Sequence, residues 1–223
     1  MPDVPAIGPT RALVVELTLV CVLLCFGTFS LFRLVLLLLI ATQSLWVRRM
    51  RWSDVGLRRP TSVANAAVLA VVSTAAILLA VRYLIVPAAV GLTGLPIDLT
   101  ALNQPGDATA LGLLLGQAWT LAAFGEEMVF RGYLMRRVGD LVGDTLSARV
   151  VAVAATSILF GLAHRYQGWA GVLATATIGC LLAILYLASK RNLWPAIVCH
   201  GLVDTVFLSA IYADRQAWFF GVT

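Results

Sequence analysis

Phe124-Gly125-Glu126-Glu127-Met128-Val129-Phe130-Arg131-Gly132-Tyr133-Leu134 ends an apolar run that begins near Leu111, and helix-compatible residues continue it to Arg137. Two adjacent carboxylates inside such a run are expensive. At the centre of a bilayer each costs roughly 3 kcal/mol even on the lenient insertion scale, so a helix carrying both must recover the cost through partners or function. Arg131 lies four residues after Glu127, on the same helical face and in the favourable acid-then-base order. Glu126 points about 100° away and has no local partner, which leaves it available for chemistry.

The rest of the chain decides whether this run lies in a membrane. Of 223 residues, 61% are hydrophobic and 12% charged, with a mean hydropathy of +0.93. A soluble domain carries about 25% charged residues. Apolar runs of membrane-spanning length recur from end to end with no polar block between them, which predicts a single integral membrane domain over 1–223. The expected fold is all-α, a polytopic bundle of about six transmembrane helices around an intramembrane polar site. The run after Arg11 is too long for a signal-peptide core, so no cleaved leader is expected. Net charge is +5, but the basic residues sit at helix ends and not on one soluble face. Membrane lipid is therefore the expected partner, and nucleic acid is excluded. The four cysteines lie in apolar runs without paired spacing and read as buried hydrophobes.

Residues 12–46 read as one steeply tilted helix, about 50 Å long at helical rise against a hydrocarbon core of about 30 Å. A hairpin there needs a turn, for which Gly27-Thr28-Phe29-Ser30 is a weak candidate. Arg48, Arg49, Arg51, Arg58 and Arg59, with Trp46 and Trp52 among them, mark a cytoplasmic interfacial segment. A second span covers 63–86 and is ended by Pro87. Residues 88–108 hold Gly91, Gly94, Pro96, Pro105 and Gly106 but no cation, and read as an external loop. The third span starts near Thr109 and runs through the acidic motif; within it, Gly112 and Gly116 permit close helix packing. The remaining spans are 146–164, 169–188 and 193–213, joined by turns at 165–168 and 190–192. Both termini then lie outside, with Arg11, Arg82, Arg165 and Arg215, while most cations lie inside. That bias supports the topology and an integral plasma membrane location, the inner membrane in a bacterium.

Only two histidines occur, His164 and His200, and both sit on apolar helices. His200 and Asp204 are four apart and share a face, a spacing by which a carboxylate orients an imidazole or both ligate a metal. His164 shares its face with Phe160 and Thr156. Facing lipid separately, the two histidines, Asp204 and Glu126 would cost on the order of 10 kcal/mol, so they should meet in one cavity. The span boundaries resist this, because they put Glu126 in the cytoplasmic half and His164 near the outer end. Convergence requires either a fourth span starting nearer Arg149 or helices displaced from simple full crossings. No H-E-x-x-H, H-x-x-E-H, G-x-S-x-G or Gly-rich phosphate loop is present.

Three motifs, E-E-x-x-x-R at 126–131, F-x-x-x-H at 160–164 and H-x-x-x-D at 200–204, stand in this order on successive apolar helices. In this the chain resembles the CPBP family, which includes the CAAX prenyl endopeptidases and bacterial bacteriocin-processing and self-immunity proteins. The resemblance covers about 55–212 and extends to Gly56-Leu57-Arg58-Arg59-Pro60 and Asn192-Leu193-Trp194-Pro195. Asp204 departs from it, because the CAAX endopeptidases more often carry Asn there. The resemblance implies an intramembrane endopeptidase, metal-linked or glutamate-dependent, acting on a hydrophobic or membrane-anchored peptide. Glu126 is the expected general base, with His164 holding the attacking water. His200, oriented by Asp204, would stabilise the oxyanion or ligate a metal, Glu127 and Arg131 would brace the helix, and Phe160 would support the site. Two versions stay open: zinc on His164, His200 and Asp204, towards which the extra carboxylate leans, or direct activation of water without a metal. A non-catalytic scaffold or immunity protein of the same fold is the alternative. A proton-coupled transporter is disfavoured by the lack of an inverted repeat.

Overall fold

The computed structural model describes residues 9–25, 31–102, 105–143 and 145–220, and all regular structure among them is helical. Two shorter helices, α1 (Pro9–Cys25) and α2 (Leu31–Val47), precede five that are long and apolar enough to span a membrane. These are α3 (Val63–Thr93), α4 (Ala108–Val142), α5 (Leu146–Ala163), α6 (Gly168–Ala188) and α7 (Leu193–Tyr212). A last short helix, α8 (Ala217–Phe220), follows. Polar side chains start the long helices by accepting otherwise unpartnered N–H groups: Ser62 from Asn65 at 3.2 Å, Asp107 from Ala110 at 2.9 Å, Thr145 from Ala148 at 3.1 Å and Asn192 from Trp194 at 3.0 Å. Each such cap is worth about 1 kcal/mol. Val68, Val71, Val72 and Leu79 of α3 are exposed, as a lipid-facing surface requires. The protein is a polytopic helical bundle and an integral membrane protein.

The single helix expected over 12–46 is instead two helices folded back on each other. Glu16 of α1 accepts hydrogen bonds from Ser44 Oγ at 2.5 Å and Arg48 Nη2 at 2.7 Å, at the far end of α2. One continuous helix would hold residues 16 and 48 about 48 Å apart. Folding back gives Glu16 a cation that the straight helix denies it. The turn candidate at Gly27–Ser30 lies outside the described residues. The fold-back also changes the expected topology at the N-terminal end alone: the start of α1, with Arg11, lies at the end of Arg48–Arg59. The end of α7 lies at the opposite end, where Gly106 N–H donates to Tyr212 O at 2.9 Å. The first and last spanning elements thus terminate on opposite sides.

Pro87 does not end α3. The five residues Val81–Ile85 form a wider turn in which Val86 N–H reaches back to Val81 O, so the hydrogen-bond ladder is already offset where the proline lacks its N–H. The helix ends at Gly94, whose φ of 67° permits the left-handed cap.

At the centre, α7 packs against α3, α4 and α6, while α5 lies along α6 and the α1–α2 hairpin against α4 and α5. The α5–α6 approach is close at Gly161, where a Cβ would stand 2.5 Å from Val172 O and 2.7 Å from Ala176 Cβ. Among the described residues Gly112 and Gly116 serve no such purpose, since a Cβ on either meets nothing within 4 Å.

The difficulty of depth is resolved at the start of α7. Leu193 lies level with Gly132, where a Cβ would be 3.3 Å from Leu193 Cδ1. The segment after α2 passes beneath it, with Leu193 N–H donating to Gly56 O at 3.0 Å, Asn192 Nδ2 to Arg58 O at 2.9 Å and the Tyr186 hydroxyl to Val55 O at 3.0 Å. α7 therefore starts inside the bundle, while α4 continues past Arg137 to Val142. The fourth span begins at Leu146, as read from sequence, so displacement of the helices explains the convergence.

Candidate active site

Two wide-turn segments, Ala118–Glu126 and Met128–Leu134, occupy the middle of α4, and Met135 N–H bonds back five residues to Phe130 O. A turn with i→i+5 bonding holds more residues than an α turn, so neighbouring side chains diverge by a smaller angle; such turns are frequent at functional sites. Glu126 and Glu127 accordingly both face inward, at 3% and 0% exposure.

Glu127 Oε1 accepts from Arg131 Nη1 at 2.7 Å and from His200 Nδ1 at 2.8 Å. The first contact is the expected brace along α4; the second, to an imidazole, was not expected from the sequence. Asp204, the expected orienter, lies 3.5 Å from His200 Nε2, a looser contact. Because an ionised carboxylate only accepts, His200 Nδ1 is the donor, and Nε2 is the nitrogen facing Asp204. Arg131 spends its other terminal nitrogen on Gly179 O at 2.8 Å, and its guanidinium lies 4.6 Å from the centre of the Phe160 ring. α4, α5, α6 and α7 are joined through this one cation.

His164 follows the last residue of α5. There its own N–H turns to Gly161 O at 2.9 Å, and the Phe160 carbonyl released by the helix end meets His164 Nδ1 at 2.8 Å. A carbonyl can only accept, so Nδ1 carries the proton and the neutral ring has its lone pair on Nε2. Phe160 is the common neighbour of both imidazoles, its centroid 4.7 Å from that of His164 and 6.0 Å from that of His200.

Glu126, His164, His200 and Asp204 line one cavity of about 310 Å³, together with apolar side chains such as Val81, Leu121, Val203 and Phe207. The sequence-predicted residues do converge. Within the cavity wall, Glu126 Oε2 is buried without a hydrogen-bond partner. Tyr166 also lines the cavity, its ring 5.8 Å from that of His164. Sequence reasoning placed it only in a turn, although an aromatic residue two positions after a membrane histidine was the available signal.

Residues 108–206 match the Rce1-like type II CAAX prenyl endopeptidase family. The resemblance carried by the three motifs is thus borne out at family level, and the matched stretch runs from the first residue of α4 to just beyond Asp204 in α7. No curated protein and no solved structure gives a significant match to the chain. The α1–α2 hairpin and α3 lie outside the Rce1-like stretch, yet Val81 of α3 and Leu34 of α2 line the same cavity.

The donor set does not fit a metal ion well. Among the described residues no group of three His, Cys, Asp or Glu side chains is disposed to hold one. Both imidazoles commit Nδ1, His200 to Glu127 and His164 to a backbone carbonyl, which leaves each Nε2 as the possible ligand, but among the described residues no third side chain completes a set with them. The expected trio of His164, His200 and Asp204 shares a cavity without forming a metal triad.

Proposed function

We propose that the protein is an intramembrane endopeptidase that hydrolyses a peptide bond in a hydrophobic or membrane-anchored peptide, with Glu126 as general base. The observation that carries this reading is the buried carboxylate of Glu126, one oxygen of which has no partner among the described residues, on a side chain that lines one cavity with His164, His200 and Asp204. A water held between Glu126 and His164 Nε2 gives its proton to Glu126, and its oxygen attacks the scissile carbonyl carbon. His200 as an imidazolium, flanked by Glu127 and Asp204, donates from Nε2 to the developing oxyanion. The C–N bond then breaks, and the proton held by Glu126 passes to the leaving amine. The base supplies about 10²–10⁴ in rate and an oxyanion donor about 10²–10³. The apolar wall suits a side chain or lipid tail of the substrate and keeps bulk water from the carboxylate. A bacterial inner membrane is the proposed location.

Turnover of membrane-peptide pools by purified protein, with and without chelator, tests the proposal together with Asp204→Asn. Expected are cleavage by the wild type, resistance to chelator, and activity within about tenfold for Asp204→Asn, because Asn still accepts a hydrogen bond beside His200. Loss of activity to chelator with recovery on added zinc would restore the metal version, for which loss of a ligand carboxylate weakens affinity by about 10–100-fold. Absence of any turnover would leave the non-catalytic scaffold.

A further inference from the structure

The cavity that holds Glu126 continues well beyond its polar side chains. Asp204, Phe207, Leu208 and Ile211 line it at spacings of i, i+3, i+4 and i+7, a single face of α7 that carries it about 10 Å along the helix towards Tyr212. On α4, Glu126, Ala122, Ala118 and Leu114 line it in four-residue steps back towards the helix start. The two runs lead to the same end, where Gly106 N–H bonds Tyr212 O. Phe220 of α8 is a further wall residue on this side, its ring 5.2 Å from that of Phe207. α8 is four residues long, too short to persist as a helix by itself, so side chains must place it. The Phe219 ring, 6% exposed, packs on Phe207 at 5.1 Å, and the Trp218 ring takes the Arg82 guanidinium at 4.3 Å. Arg82 belongs to the wide turn of α3 whose first residue, Val81, lines the cavity. A cation within an apolar span is costly, and among the described residues Arg82 has no ion pair to offset it. Its Nε is buried without a hydrogen-bond partner, while the rings of Trp218 and Tyr83 flank its guanidinium. Holding α8 is the role that these contacts support.

We propose that Phe220 is a specificity-determining residue: α8, latched by Arg82 on Trp218, sets how bulky an apolar group can pass along the cavity towards Glu126. The Rce1-like stretch ends at 206, so this limit is set by residues of the chain beyond it. That the group belongs to a peptide rests on the peptidase reading; the limit on its bulk does not.

The test is the rate at which a small and a bulky maleimide reach Ala122→Cys, at a wall position four residues before Glu126. It is read in the detergent-purified full chain, above the labelling of the parent. Adding Phe220→Ala should raise the rate of N-pyrenylmaleimide by about tenfold or more and that of N-ethylmaleimide by about twofold at most, because a packed wall excludes only what does not fit. Arg82→Gln keeps the Phe220 ring and removes the latch. It should raise the bulky reagent's rate about two- to fivefold, the equivalent of one exposed cation–π contact. Trp218→Leu should do the same, and the two changes together should add nothing to either, since they break a single contact. An unchanged N-pyrenylmaleimide rate in Phe220→Ala, or equal gains for both reagents, would overturn the assignment. Should Phe220→Ala not fold, Arg82→Gln decides by the same criterion. Absence of peptide turnover would remove the peptide as the occupant, while the maleimide rates would still decide the role of Phe220.

Discussion

Glu126 and Glu127 adjoin in the chain and are both buried, yet Glu126 lines the cavity while Glu127 is held by a hydrogen-bonding cation and an imidazole. The two should therefore respond differently to the same change. Glu126→Gln keeps shape, and for the buried oxygen that lacks a partner no hydrogen bond is lost. Turnover should fall by about 10²–10⁴ while the unfolding temperature stays within experimental scatter. Glu127→Gln and Arg131→Ala each break a pair that is 0% and 1% exposed and leave one charge alone, at a cost of about 3–5 kcal/mol. Folded yield and unfolding temperature should drop together with activity; normal thermal stability in either variant would contradict the structural role. The polar residues themselves were legible because lipid makes each of them expensive, and four such groups on apolar helices have few reasons to exist apart. The Glu127–His200 contact was not legible. An α-helical phase separates neighbours by about 100°, and nothing in the sequence announces the wider turns that bring both carboxylates inward.

Helices follow the same pattern, legible in their apolar lengths and less so where a local signal was overridden. α5, α6 and α7 begin and end within a residue of the sequence reading, because Thr145, Asn192 and the Lys190–Arg191 turn are strong stop and start signals. α3 continues through Pro87 because an offset ladder absorbs the missing donor, and α1 and α2 fold back because Glu16 finds Arg48 only in that arrangement. The α5–α6 pair depends on Gly161 more than on any cap. Its missing Cβ would meet the backbone oxygen of Val172, which cannot swing aside as a side chain could. Gly161→Ala should therefore push α5 from α6 at a cost of about 1–3 kcal/mol, and since α5 carries Phe160 and His164, turnover should fall beyond what the stability loss explains. Gly112→Ala, in open space, is the control, and helix propensity predicts unchanged or slightly raised stability, by up to about 1 kcal/mol. Equal unfolding temperatures for the two variants would show that the helices can separate without cost.

At the scale of the molecule, the distribution of cations sets an orientation that the corrected topology makes sharper. Folding back α1 carries Arg11 to the end that holds Arg48, Arg49, Arg51, Arg58 and Arg59, and Arg58 bonds the Lys190 carbonyl there. Arg131, being 1% exposed and paired with Glu127, adds nothing to this bias. Surface cations are what the insertion machinery reads, so the arginine-rich end should face the cytoplasm. The cavity of Glu126 extends the other way, to Ile97, Leu99, Tyr166 and Gln167. Its substrate should then be met from the side of the 94–107 connection. Cysteine labelling in intact cells with a membrane-impermeant maleimide tests the orientation, read above the labelling of the parent chain. Leu95, 51% exposed beside that connection, should react as Leu95→Cys without permeabilisation. Arg59→Cys, exposed at the arginine-rich end, should react only after the membrane is opened. Labelling of Arg59→Cys in intact cells, with Leu95→Cys protected, would invert the molecule and place the mouth of the cavity on the cytoplasmic face.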